Sequence, residues 1–105
     1  MDQPDGLIHQ PVRLKIMAAL KALPPEAMLE FVRLKAIVGA TEGNLGAHIA
    51  TLEEAGYVKV VKDFAAKRPR TRVGLTRSGL KAFREYVGYL REIVDLEPPA
   101  RGDDP

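Results

Sequence analysis

The chain has 105 residues, 46% of them hydrophobic and 29% charged, with no cysteine and a formal net charge of +2. That length suits one domain with a modest core, and the lack of cysteine excludes a disulfide framework, a thiolate metal site and cysteine catalysis. Only His9 and His48 could supply imidazole, and no apolar run reaches the roughly 18 residues of a membrane span. The acidic start Met1-Asp2-Gln3-Pro4-Asp5 is unlike a signal peptide. A cytoplasmic protein with no metal and no cofactor is therefore expected.

The small net charge conceals an asymmetry. Residues 1–55 carry five basic and seven acidic side chains, residues 56–91 carry ten and two, and residues 92–105 carry one and five. A basic middle between acidic flanks calls for an anionic partner at one place on the surface. Nucleic acid is the first candidate and an anionic membrane the second.

In chain order, residues 1–6 read as a flexible N-terminus. Pro11 opens a helix whose apolar stripe is Val12, Ile16, Leu20 and Leu23, with Met17 beside it, and Pro24-Pro25 ends it. Met28 to Phe31 is either a small strand or a helix entry. Val32 to Val38 predicts a short helix that Gly39 terminates. Thr41 is a candidate N-cap for a helix running to about Ala55, with Leu45, Ile49 and Leu52 buried and Gly56 as its stop. Two β-rich runs follow, Tyr57–Phe64 and Thr71–Leu75, joined by a polar connection of about six residues. Thr76 then caps a long helix reaching about Asp95, and residues 96–105 read as a disordered acidic tail.

The order is helix, short helix, tight glycine turn, helix, two-stranded hairpin, long helix. Ile37 to Glu42 has the form of a helix-turn-helix link, and a basic hairpin after it makes the arrangement of a winged helix. The predicted class is therefore α+β, mainly α, with residues 7–95 as one domain. At the level of particular residues, His9 to Met17, Thr41 to Val58 and the Leu75-Thr76-Arg77-Ser78-Gly79 entry into the last helix resemble small winged helix DNA-binding regulators related to the MarR and ArsR groups. The resemblance spans roughly residues 7–95. It implies sequence-specific binding of double-stranded DNA as a homodimer, with transcriptional repression as the usual outcome. It does not extend to an ArsR metal sensor, whose cysteine ligands are missing.

With Leu45, Ile49 and Leu52 inward, the helix over residues 41–55 turns Asn44, Ala47, His48 and Thr51 outward. Asparagine can pair with adenine, threonine can offer a methyl or hydroxyl, and Thr41 at the helix start can meet a phosphate. His48 is either a DNA contact or a packing residue. No Arg or Lys lies on this helix, so direct base readout is expected to be limited. The electrostatic part is the hairpin, with Lys59, Lys62, Lys67, Arg68, Arg70 and Arg72 against one acid, Asp63. Lys67-Arg68-Pro69-Arg70 is expected at its tip, clamping phosphates or entering a minor groove.

On the last helix, Leu80, Phe83, Val87 and Leu90 are assigned to the domain, and Tyr86, Tyr89 and Ile93 to a second subunit. No nucleophile motif or phosphate loop supports catalysis, and no residue specifies a small-molecule effector. The competing reading is a protein-interaction module on the same scaffold, using the Tyr86/Tyr89/Ile93 face while the basic hairpin serves solubility.

Overall fold

A computed structural model describes residues 4–98. Helix α1 (Pro11–Lys21) starts where expected, its first turn closed by Gln10, whose Oε1 accepts from the Arg13 amide at 2.8 Å. It buries Ile16, Met17 and Leu20 but stops at Lys21, so Leu23 is half-buried beyond its end and not part of the stripe. Strand β1 (Met28–Glu30) runs directly into helix α2 (Phe31–Val38). Gly39 closes α2 at φ 74°, a left-handed conformation that side-chain-bearing residues rarely adopt. Helix α3 (Glu42–Glu54) follows at once, capped by Thr41, whose Oγ1 accepts from the Asn44 amide at 3.2 Å.

Strands β2 (Val58–Ala65) and β3 (Arg68–Leu75) form the wing, and helix α4 (Arg77–Val94) ends the described secondary structure. The sheet has three strands in the antiparallel order β1-β3-β2: the two-stranded wing expected from the sequence, joined by the small strand that is one of the two readings of Met28 to Phe31. Met28 to Glu30 pairs with Arg72 to Gly74 on the side of β3 that β2 leaves free.

The wing is also tighter than the sequence suggests. Residues 65–70 are not a loop: Ala66 and Lys67 alone make the turn, at φ 51° and 66°. Positive φ at both central positions is the mirror-image hairpin turn that matches strand twist. The usual Asn-Gly signal for it is missing from the sequence, which is why the residues point to a longer loop. Arg68, Pro69 and Arg70 consequently belong to β3. Pro69 is tolerated there because β1 reaches only residues 72–74 and leaves the β3 edge open beside it.

The core lies where α1, α2, α3, the base of the wing and α4 meet. Leu34, Leu45, Leu52 and Val73 are fully buried, with Ile49, Val58 and Phe83 close to it. Each such side chain contributes about 1.5–3 kcal/mol by leaving water. Three buried residues on one stripe of α3, Leu45, Ile49 and Leu52, fix which face of that helix remains outside.

Residue 5 does not belong to a flexible end. Asp5 Oδ1 accepts from the Leu7 and Ile8 amides, Asp5 Oδ2 accepts from the Tyr57 hydroxyl at 2.6 Å, and Ile8 is fully buried. The segment thus straps α1 to the start of the wing. The hydrogen bond to Asp5, with burial and the charges of Asp5 and Glu85 behind it, pushes the Tyr57 hydroxyl up to about 12 from 10.0. The fold holds the protonated phenol, so this contribution is complete below pH 10 and lost as pH rises from about 10 to 12. Denaturant midpoints should fall across that window more steeply in the native chain than in Tyr57→Phe. Equal slopes would rule out the strap as a source of stability. Of the predicted acidic tail, residues 96–98 are exposed without regular structure, and 99–105 lie outside the described residues, as do residues 1–3.

Gly79, in the first turn of α4, sits against the chain at the end of α3. A Cβ there would overlap the Tyr57 carbonyl oxygen and lie 2.8 Å from its carbon. Thr76 locks the junction. Its amide donates to the Tyr57 carbonyl at 3.1 Å, its hydroxyl donates to the Gly56 carbonyl at 2.6 Å, and its Oγ1 accepts from the Gly79 amide at 2.9 Å.

Candidate nucleic-acid interface

Two surfaces make up the candidate site, the outer face of α3 and the wing. On α3, Thr41, Asn44 and Ala47 are exposed, while His48 and Thr51 are half-buried. Gly43 and Ala50 are exposed beside them, so the face is low and free of bulky groups. The Thr51 hydroxyl is spent within the helix, donating to the Ala47 carbonyl at 3.1 Å, which leaves mainly its methyl to offer outward.

His48 has a partner that sequence spacing does not reveal. Its Nδ1 is 3.0 Å from Arg13 Nη1, and Arg13 Nε donates to the Leu7 carbonyl. A guanidinium only donates, so Nδ1 accepts and the neutral ring carries its proton on Nε2. His48 is therefore held in one tautomer with a donor at its far side.

The wing divides its side chains by strand alternation. Residues directly across β2 and β3 share a face, so Val58 with Leu75, Val60 with Val73, Lys62 with Thr71 and Phe64 with Pro69 lie on the core side. Lys59, Val61, Asp63, Arg68, Arg70 and Arg72 lie on the other. The predicted cations are thus not one patch. Lys62 lines a groove of about 310 Å³ between α3 and the wing, together with Glu42 and Glu53, whose carboxylates offset it.

On the opposite face Arg70 and Arg72 are bound to Asp63. Arg70 donates from Nε to Oδ1 at 2.9 Å and from Nη2 to Oδ2 at 3.0 Å, and Arg72 Nη2 reaches Oδ2 at 2.9 Å. The Arg70 guanidinium holds the Asp63 carboxyl below the usual carboxylate range, and the carboxylate raises Arg70 in return. Of the wing cations assigned to DNA, Lys67 in the turn and Arg68 beside it are exposed at its end. Phe64, which the residue pattern does not single out, is 73% exposed there. An apolar residue spaced by two from Lys62 along a strand is the only sign of it.

Helix α4 departs from its expected division of labour. Tyr86 is buried, not free for a partner, and its hydroxyl lies 2.7 Å from His9 Nδ1. Burial, with Tyr89 close by, raises its pKa above the ordinary tyrosine value. Tyr89 is half-buried against the core and edge-on to the His9 ring, whereas Ile93, Val94 and Leu96 are exposed. The second apolar stripe is thus real only toward the end of the helix. Among the described residues, no helix is long and apolar enough to cross a membrane.

The family model described as "Winged helix DNA-binding domain" matches residues 12–94. The chain belongs to that family. This winged helix is 36% identical over 81 residues to an uncharacterized protein of Methanocaldococcus jannaschii, an alignment covering 77% of this chain and 85% of that one. It superposes on the structure of a transcriptional regulator homologue from Pyrococcus horikoshii OT3 with a TM-score of 0.75 and 35% identity, covering 85% of each chain. A MarR family transcriptional regulator from Silicibacter pomeroyi gives a TM-score of 0.65 at 20% identity, covering 85% of this chain and 57% of that one, a likeness of fold alone. The winged-helix fold is thus that of MarR-type regulators.

Proposed function

We propose that the protein is a transcriptional repressor that binds specific double-stranded DNA as a homodimer, with α3 in the major groove and the basic wing, residues 59–72, on the backbone and minor groove. What carries this reading is the pairing, in a winged helix DNA-binding domain, of a low exposed α3 face with a wing that ends in Lys67 and Arg68. Thr41 would meet a phosphate, Asn44 an adenine edge, and Ala47 and the Thr51 methyl a thymine methyl. His48 would donate through Nε2. Lys62, Lys67, Arg68, Arg70 and Arg72 would supply sequence-independent attraction, with the share of Arg70 and Arg72 reduced by Asp63. Tyr89 and Ile93 would join two copies through the end of α4, and a two-fold dimer would present its two α3 helices to half-sites about one turn of DNA apart. A bound dimer would then deny the transcription machinery its template.

The test is selection of fragmented genomic DNA on the purified protein at physiological salt. A few enriched fragments sharing an inverted repeat are expected. Uniform retention would remove sequence specificity and the repressor role. No retention at any salt would overturn DNA binding itself.

A further inference from the structure

We propose that Phe64 is an apolar wedge that the wing presses into the DNA minor groove, so that the wing senses how easily a base step deforms as well as where phosphates lie. The inference rests on the DNA-binding reading above. Phe64 is 73% exposed near the end of β2, and the residue directly across from it, Pro69, is exposed as well. The core makes no use of it. Its surroundings distinguish it from the exposed apolar groups at the end of α4. Lys62 precedes it on the same face, Lys67 follows in the turn, and Arg68 lies beside the turn on the other face. The one wing carboxylate, Asp63, lies on the opposite face under Arg70 and Arg72. By contrast, Leu96 lines a hollow with Glu92, Asp95 and Glu97 against one cation, Arg91, and Val94 adjoins Asp95 in the chain.

An apolar side chain set among cations suits a polyanion whose interior is a stack of flat apolar rings. Phenylalanine and proline are among the residues that partly unstack a base step and bend the duplex. The two-residue turn removes slack from the hairpin, so the ring is presented on a stiff support. Helix α3 has no Arg or Lys between Glu42 and Glu54, so its own reading of bases is sparse. Sensitivity to deformability at the wing supplies discrimination where α3 offers little.

The chain has no tryptophan, so Phe64→Trp gives a reporter at this one position. Its emission is followed with two duplexes of equal base composition, one with a central TpA step and one with an uninterrupted A-tract. On the TpA duplex the indole should be quenched and shielded from iodide. Phe64→Ala should lose about tenfold in affinity for that duplex, the scale of one base–aromatic stack. Its salt slope should not change, because an apolar group releases no counterion. The wedge is overturned if the indole remains open to iodide in a complex that a mobility shift shows to have formed, or if Phe64→Ala binds both duplexes like the native chain. Emission that responds to protein concentration without DNA would also overturn it, since the ring would then meet a second copy. If the native chain binds neither duplex at low salt, the DNA-binding reading fails first.

Discussion

Gly79→Ala is expected to destabilise the protein by about 3 kcal/mol or more, at the upper end of what overpacking costs. The added methyl would overlap the Tyr57 carbonyl oxygen. A backbone carbonyl cannot swing aside as a flexible side chain could, and this one also accepts the Thr76 amide. Relief would require the start of α4 to lift from the end of α3, loosening the Thr76 bonds to Gly56 and Gly79 as well. Against a typical stability of about 5–15 kcal/mol, that is a large fraction, and for a domain of this size it corresponds to a fall in Tm of roughly 12 °C or more. Gly88→Ala, in the same helix, should do the opposite. Nothing lies within 4 Å of the place its Cβ would take, so the loss of glycine's unfolded-state freedom should stabilise by about 0.5–1 kcal/mol. Thermal unfolding of the two variants is the check. Similar melting temperatures would mean that the junction at Tyr57 is not as tight as described.

Removing Lys67 and Arg68 together by alanine substitution should lower the salt slope of DNA binding by about two for each wing, hence by about four for a bound dimer, and weaken binding by roughly tenfold or more at physiological salt, uniformly across sequences. These two are exposed and free of the carboxylate clamp. Arg70 and Arg72 behave differently because Asp63 already neutralises part of their charge. Asp63→Asn should therefore strengthen binding to any duplex and steepen the slope, whereas losing an acid more than a screening length from the interface should leave both nearly unchanged. Titrations of one labelled duplex over a range of salt concentrations measure both quantities. A slope unchanged in the Lys67→Ala, Arg68→Ala variant would mean that the wing does not lie on the phosphate backbone.

Much of the architecture is legible in the sequence because it is encoded locally. Thr41 and Thr76 cap the helices that follow them, Gly39 ends α2, and Leu45, Ile49 and Leu52 face inward as their spacing requires. What escapes is what depends on distant partners or on unusual local chemistry. Asp5 looks like part of a tail because its partner, Tyr57, is 52 residues away. Tyr86 looks like an outward residue because periodicity gives the angle around a helix but not what covers it, and His9, 77 residues earlier, sits there. The turn at Ala66-Lys67 uses residues that carry no glycine or asparagine signal for positive φ. Charge counting finds the basic wing but not its sidedness, since that requires the register of β2 against β3. On the candidate site, Thr41, Asn44 and Ala47 are readable as an exposed face, whereas the tie between His48 and Arg13 is not.

The alternation of faces along the wing also limits how the hairpin can change length. Inserting one residue in each strand between the base and the tip would keep the pairs but turn them over, sending Phe64 and Pro69 to the arginine side and Arg68 to the other. Insertion of two residues in each strand leaves every side chain on its own side and carries the tip outward by about 6.6 Å. That increment is close to the rise of two base pairs, at about 3.4 Å each. The reach of the wing is therefore quantised, and related chains that keep this division of chemistry can lengthen or shorten it only in even steps.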